Sequence, residues 1–347
     1  MNTKIERVNP EQIDETIMEE AGRLIAEGEL VAFPTETVYG LGGDALHPEA
    51  ARKIYAAKGR PSDNPLIVHI ADFSDMERVA REVPEAARKL AGAFWPGPLT
   101  MIVWKSDAVP MATTGGMDTV AVRMPNHPVA LDLIRKSGCL IAAPSANTSG
   151  RPSPTEASHV AEDLSGRIAM ILDGGPVGIG IESTIIDLTE SKPMVLRPGY
   201  ITPQMLSEVL GEEVIIDPGI IAADDTRKPK APGMKYKHYA PKADMVIVDG
   251  PSAAVISRIN ALVHEKQENG KIKEEQIMTL TVRLILIVAL VFSIIIPFGY
   301  YLIGEKNRGR YKCALAANVF FFFGACLVAS IMMFAGPNVQ AADAAAS

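Results

Sequence analysis

Residues 30–42 read Leu30-Val31-Ala32-Phe33-Pro34-Thr35-Glu36-Thr37-Val38-Tyr39-Gly40-Leu41-Gly42. Four apolar residues closed by a proline predict a short buried strand over 30–33. The hydroxyls, carboxylate and glycines after it predict a strand-end loop over 33–42, a turn closed on its own hydroxyls or a holder for a small polar ligand. Upstream, Asn9-Pro10 offers a capping side chain and a first-turn proline, which predicts a helix from there to about residue 27. Downstream, a helix is expected over 48–57. The alternation continues, with strands expected over 66–70, 99–104, 120–123, 140–143, 168–172, 185–188 and 194–196. Helices are expected between them over 84–94, 127–137 and 155–164. The fold class is therefore α/β, a twisted mixed open sheet with flanking helices. In such folds ligand clefts gather where strands end and loops begin.

The chain has 347 residues, with 34 basic and 41 acidic side chains and a net charge of −7. That balance argues against a dedicated nucleic-acid coat, which needs clustered basic surface, while leaving room for a local basic cleft. Cys139, Cys313 and Cys326 form no CxxC pair, which argues against a disulfide scaffold or a cysteine zinc site. Residues 1–12 hold no apolar signal region, so the N-terminal part is expected in the cytoplasm.

The composition breaks after Met278, beyond which seven of the ten phenylalanines lie. Before the break, residues 217–242 are rich in proline, glycine and charge, as a solvated linker is. Met234, Tyr236, His238 and Tyr239 are nevertheless costly in a spacer, and such a segment can fold over a nucleotide. A strand over 245–249 and a helix over 252–264 open a second α/β unit that stops short, and a single βα pair cannot bury its own apolar face. Two apolar runs follow, 280–303 and 313–335, each long enough for a bilayer core of ~30 Å. The basic turn between them would stay in the cytosol and put both hairpin ends outside, in conflict with a cytoplasmic N-terminal part. Met278-Thr279-Leu280-Thr281-Val282-Arg283 looks like the start of a separate membrane protein. Residues 278–347 are thus expected to be a two-helix transmembrane hairpin, joined by fusion or sequence error, with a buried core hairpin as the other reading.

Three loops and two arginines carry chemistry. Lys58-Gly59-Arg60-Pro61-Ser62 follows a helix and is either an anion clamp or a helix end decorated with cations. Ala143-Pro144-Ser145-Ala146-Asn147-Thr148-Ser149-Gly150-Arg151-Pro152-Ser153-Pro154-Thr155 links a strand to a helix with Thr155 as expected cap. It is either a plain polar loop or an anion site rich in hydroxyls and backbone N–H groups. Arg123 and Arg197 each leave a strand beside a proline, either to pair with a surface carboxylate or to serve a site, and Glu182-Ser183-Thr184 is a hydroxyl-bearing strand start. No Walker A pattern occurs, and Gly178-Ile179-Gly180 does not extend to a dinucleotide fingerprint. His47 and His127 are expected to cap or flank helices, and His69 to be a buried strand residue. The set holds cations and hydroxyls without a nucleophile–base pair, which suits group transfer run by positioning and charge stabilisation.

In their order, PTETVYGLG, KGRPSDNPL, PGPLT, AVRMP, PSANTSGRPSPT, ESTIID, LRPG and APGMKYKHYAP resemble the YrdC-type threonylcarbamoyl-AMP synthases in their two-domain form, over about residues 1–265. The resemblance implies a YrdC-like catalytic domain over 1–212, a linker or lid over 213–243 and a truncated C-terminal α/β domain over 244–270. It also implies a reaction in which L-threonine, bicarbonate and ATP, with Mg²⁺, give threonylcarbamoyl-adenylate and pyrophosphate. A downstream threonylcarbamoyl transferase then carries the product to tRNA. By similarity Thr35, His69, Arg123, Ala143 and Ser183 would contact threonine or its carbamate. Lys58, Ser62, Thr119, Ser145, Asn147, Ser153, Arg197 and His238 would line the ATP site, with Lys58, Arg60 and Arg123 supporting the chemistry. The tail over 278–347 resembles the N-terminal hairpin of rotary-ATPase proteolipid subunits and implies membrane contact through 280–335. Rival readings are a non-catalytic RNA-binding module of the same fold and an inactive fusion tethered to a membrane. A related domain in hydrogenase maturation comes with cysteine-rich zinc modules, for which this chain has no room.

Overall fold

In the computed structural model, which describes residues 2–221, 246 and 248–268, the buried run around Val31 is one strand of an eleven-stranded sheet. The strands are β1 (Lys4–Arg7), β2 (Val31–Phe33), β3 (Gly40–Asp44), β4 (Ile67–His69), β5 (Leu99–Trp104) and β6 (Thr119–Arg123). After them come β7 (Ile141–Ala142), β8 (Met170–Asp173), β9 (Thr184–Asp187), β10 (Met194–Arg197) and β11 (Ile215–Ile216). Their order is β1-β8-β2-β3-β7-β4-β6-β5-β9-β10-β11. Pairing is mixed: β4 runs parallel to β6 and β5 to β9, whereas β2–β3 and β5–β6 are antiparallel. The helices are α1 (Glu15–Ala26), α2 (Pro48–Lys58), α3 (Met76–Val79), α4 (Glu85–Phe94), α5 (Pro128–Ser137), α6 (Ala157–Leu164), α7 (Pro203–Leu210) and α8 (Pro218–Ile221). These belong to one unit, Met1–Asp244; a second unit, Met245–Ser347, contributes α9 (Ser252–Glu268).

Alternation along the strands assigns side chains to the two sheet faces. On one face Leu41, Val68, Met101, Val122 and Ile186 meet Ile54 of α2, Met76 of α3, Leu90 of α4, Val160 of α6 and Leu206 of α7. On the other, Met18 and Ile25 of α1 and Leu133 of α5 cover Val31, Phe33, Ile141 and Leu172. Those two helices reach only half of that face. The other half, over β4, β6, β5, β9 and β10, carries a small cluster of Ile67, Ile102, Ala121, Ile185 and Leu196, to which no described helix contributes a side chain.

Several expectations need correction. The first helix does not begin at Asn9-Pro10. Asn9 Oδ1 accepts from the Glu11 amide at 3.0 Å and makes a turn, while the cap is Asp14, whose Oδ1 accepts from Thr16 N at 2.9 Å and Ile17 N at 3.3 Å. Thr155 is not the cap of α6; that position is Glu156, without a side-chain capping bond. The loop expected over 33–42 closes earlier, because Gly40–Asp44 pairs with both β2 and β7. Its glycines are required by close packing: a Cβ on Gly42 would lie 2.8 Å from Ile141 Cγ2 and 2.9 Å from Phe33 Cε1. The charged strand β1, the short β11 and α7 were not expected at all.

The helix expected over 252–264 is present as α9. Of the strand expected over 245–249, residues 245 and 247 lie outside the described residues, and the remainder forms no strand. His238, most of the linker expected over 213–243 and the hairpin expected over 278–347 also lie outside them. Among the described residues no helix is long and apolar enough to cross a membrane.

Candidate active site

His69 and Arg123 are paired residues of the parallel strands β4 and β6, both on the half-face left open by the helices. Thr100 of β5 stands opposite Arg123. Its hydroxyl is 2.7 Å from that of Ser183, the residue that precedes β9. Arg197, at the end of β10, donates from Nε to the Ser183 carbonyl at 3.0 Å and from Nη2 to the Ser183 hydroxyl at 3.1 Å. Four strands therefore deliver a cation, an imidazole or a hydroxyl to one place.

Around them lies a cleft lined by the expected site residues Thr35, Arg60, His69, Arg123, Ala143, Ser145, Ser183 and Arg197, and by Thr37 and Glu182. Thr35 uses its hydroxyl locally, accepting from the Thr37 and Val38 amides at 3.2 Å each and donating to the Val38 carbonyl at 2.7 Å. It fixes the loop as an ST-turn does. Arg60 donates to the Asn64 carbonyl at 3.3 Å and the Pro65 carbonyl at 3.1 Å, which lays its guanidinium along the loop before β4.

Other expected residues stand behind or beyond the cleft. Lys58 ends α2, where Gly59 turns the chain at φ 59°, and its buried ammonium donates to the backbone carbonyls of Ser145 and Asn147. It braces the Ser145–Asn147 segment from beneath rather than lining the cavity. Asn147 donates to the Thr148 and Arg151 carbonyls, both at 2.8 Å, and so folds the loop that follows. Ser153 donates to Glu182 Oε1 at 2.7 Å and borders a second cavity with Arg151, His159 and Asp163. Thr119 shares the sheet face of Arg123 but sits at the opposite end of β6, and Ser62 is exposed on the loop after α2. His47 and His127 flank α2 and α5 without making capping bonds.

Burial dominates the electrostatics. It pushes the His69 pKa down to about 3, helped by the positive Arg123, so the ring is neutral at physiological pH. The Ile67 carbonyl, 3.2 Å from Nδ1, can only accept and so places a proton on that nitrogen. Burial, with the nearby Arg60, brings Lys58 down to about 7.

No carboxylate stood among the site residues expected from the sequence. Glu36 Oε1 accepts from Arg123 Nη2 at 2.6 Å, and its Oε2 accepts from the Asn126 amide at 2.9 Å. Glu182 pairs with Arg197 and also accepts from Ser153. Asp163 of α6 accepts from the Thr148 amide at 2.9 Å and its hydroxyl at 3.2 Å, and pairs with Arg151. Glu36 and Glu182 both sit inside the motifs, but their partners are distant in sequence and nothing in the spacing announces them. Among the described residues no group of three or more His, Cys, Asp or Glu is placed to hold a metal ion.

Two family models match the chain. One, described as telomere recombination, covers residues 23–199; the other, described as the C-terminal domain of threonylcarbamoyl-AMP synthase, covers residues 201–297 and so ends inside the first apolar run. The threonylcarbamoyl-AMP synthase of Pyrococcus abyssi is 54% identical over 262 residues, 75% of this chain and 76% of that protein. The Bacillus subtilis synthase is also 54% identical, over 253 residues, 73% of this chain and 71% of its own length. In three dimensions the crystal structure of P. abyssi Sua5 complexed with L-threonine superposes with a TM-score of 0.74 at 53% identity, covering 77% of this chain and 78% of that one. On this likeness of sequence and fold, the chain belongs to the threonylcarbamoyl-AMP synthase family.

Proposed function

We propose that the open half-face of the sheet binds L-threonine at its His69–Arg123 end and the triphosphate of ATP beside Arg60, Ser145 and Arg197. The chain is a threonylcarbamoyl-AMP synthase, and the cleft chemistry follows from that assignment. Threonine's amine adds to bicarbonate carbon with loss of water, giving a carbamate. A carbamate oxygen then attacks the α-phosphorus of ATP, and the bond to the β,γ-pyrophosphate breaks. No enzyme nucleophile enters this sequence, in keeping with a cavity that offers cations and hydroxyls. The protein's work is alignment and neutralisation of crowded negative charge.

Arg123 receives the threonine carboxylate, because a guanidinium fork matches two carboxylate oxygens. Neutral His69 and the Ser183 hydroxyl face the amino acid, and the small side chain of Ala143 leaves it room. Lys58 supplies positive potential from below and fixes the Ser145–Asn147 segment. Thr119, farther along β6, is within reach of the distal part of a nucleotide lying over Ala121. Magnesium enters as part of the substrate: Glu182 is the carboxylate that lines the cleft, and a cleft with so few acidic ligands suits an ion carried mainly by phosphate oxygens. The product is passed to tRNA by a separate transferase.

The observation that carries this reading is the convergence of His69, Arg123, Ser183 and Arg197 on one cleft over the half of the sheet face to which no described helix contributes. Purified chain incubated with threonine, labelled bicarbonate and magnesium-ATP is expected to release pyrophosphate only when all three are present. Arg123→Ala is expected to abolish the adenylate. Pyrophosphate release that ignores threonine and bicarbonate, or persists undiminished in that variant, removes the reading. The apolar runs over 280–303 and 313–335 carry the separate proposal of a membrane hairpin. Intact chain in alkali-washed membranes supports it, and intact chain wholly in the soluble fraction ends it.

A further inference from the structure

We propose that Glu36 is the positioning residue that presents the Arg123 guanidinium to a substrate carboxylate, and that it thereby sets the preference for an α-carboxylate over an α-amide. The inference rests on the reading that Arg123 receives the carboxylate of threonine. The two residues are 87 positions apart, yet Arg123 Nη2 donates to Glu36 Oε1 at 2.6 Å, with side chains 5% and 13% exposed. The second carboxylate oxygen is engaged too, accepting the Asn126 amide at 2.9 Å. Arg123 Nε donates to the Gly97 carbonyl at 3.3 Å. These bonds leave Nη1 without a protein acceptor among the described residues. Arg123 lines the cleft and Glu36 does not. The carboxylate therefore holds the guanidinium from the protein side while leaving donors free on the ligand side.

Charge and architecture point the same way. Burial works against a charged Arg123, and the adjoining Glu36 carboxylate is the strongest opposing influence. A guanidinium pinned at Nη2 and Nε keeps a fixed plane, which two-point recognition of a carboxylate requires. The Glu36 backbone carbonyl also accepts the Ile179 amide at 2.8 Å, so the same residue ties the loop after β2 to the segment leading into Glu182 and Ser183.

Equilibrium binding of L-threonine and L-threoninamide to the full chain, followed by ligand-observed NMR, tests this with Glu36→Ala, Glu36→Gln and Arg123→Ala. Wild type is expected to prefer threonine. Glu36→Ala is expected to weaken threonine binding about tenfold or more, the scale of a charge-assisted hydrogen bond, while the amide changes by less than about twofold. Glu36→Gln keeps one amide oxygen for Arg123 and should recover part of the preference. If Glu36→Ala does not fold by circular dichroism, the preference of Glu36→Gln decides, and a wild-type value overturns the proposal. Unchanged preference in Glu36→Ala beside lost preference in Arg123→Ala overturns the role of Glu36 alone. Tighter threonine binding in Glu36→Ala overturns it as well, since Glu36 would then compete for Arg123. Preference retained in Arg123→Ala defeats the underlying reading of the cleft.

Discussion

The hydroxyls of Ser183 and Thr100 lie 2.7 Å apart although 83 residues separate them in the chain. The contact joins the start of β9 to its parallel neighbour β5, and Arg197 leans on the same serine through Nη2. Thr100 is fully buried, so its hydroxyl depends on this partner. Ser183→Ala should strand it at a cost of ~1–3 kcal/mol, the usual penalty for a buried polar group that loses its bond. Thr100→Val with Ser183→Ala removes both ends and should cost less than the two single changes added together. Urea unfolding of the four proteins measures the coupling; strictly additive losses would show that the hydroxyls do not depend on each other.

Lys58 makes a pH prediction. Its pKa falls to about 7 in the fold, against an unfolded value near 10.5. Between those values the folded form has shed a proton that the unfolded chain keeps, so this group makes stability rise with pH over that window. Polyphosphate bound above it favours the charged ammonium, so nucleotide binding there should take up about one proton. Calorimetry at pH 8.5 in two buffers of different ionisation heat reads that uptake directly. Lys58→Met should lose it, and equal uptake in both proteins would place the proton elsewhere.

His69 gives a slope of the same sign in the acid range. Held neutral by burial and Arg123, with a pKa of about 3 against an ordinary 6.5, it binds no proton where the unfolded chain does. Stability contributed by this group is complete above pH 6.5 and is lost progressively as pH falls toward 3. His69→Asn can still offer a donor to the Ile67 carbonyl but does not titrate. Its stability between pH 7 and pH 4.5 should therefore decline less than that of wild type in urea unfolding. Parallel declines would show that His69 is not the group being protonated.

The sequence reading succeeded where apolar runs and motifs were local. Strands such as Leu99–Trp104 and helices such as Glu85–Phe94 carry their period in their own residues, and most of the cleft was legible as residue types at strand ends. What escaped was decided at a distance. Gly40–Asp44 lacks strand-forming side chains, because Phe33 and Ile141 fill the space a Cβ on Gly42 would need. Lys4–Arg7 is a charged, largely exposed edge strand held by its parallel partner Met170–Asp173. Lys58 read as either an anion clamp or a helix end decorated with cations, and neither reading holds the bonds of its ammonium to two carbonyls from a loop almost ninety residues away. Glu36, Glu182 and Asp163 are ordinary acidic residues until folding brings arginines to them.

Asp163 leads to a final prediction, because it organises the loop beside the proposed nucleotide side of the cleft without lining the cleft. From α6 its carboxylate receives the Thr148 amide and hydroxyl and pairs with Arg151, while Asn147 closes the same turn onto the Arg151 carbonyl. That turn sits between Ser145, which lines the cleft, and Ser153, which is bonded to Glu182. Asp163→Ala frees the turn and leaves Arg151 with Glu162 as its remaining acidic partner, an exposed pair that is 2.9 Å apart and worth little. The expected result is a KM for ATP raised about tenfold, the scale of a lost charge-assisted bond, with the KM for threonine within about twofold. Asp163→Asn can still accept from the Thr148 amide and should fall between. Steady-state kinetics varying each substrate in turn separates the two: a threonine KM that rises as much as that for ATP would mean that Asp163 supports the whole cleft rather than its nucleotide side.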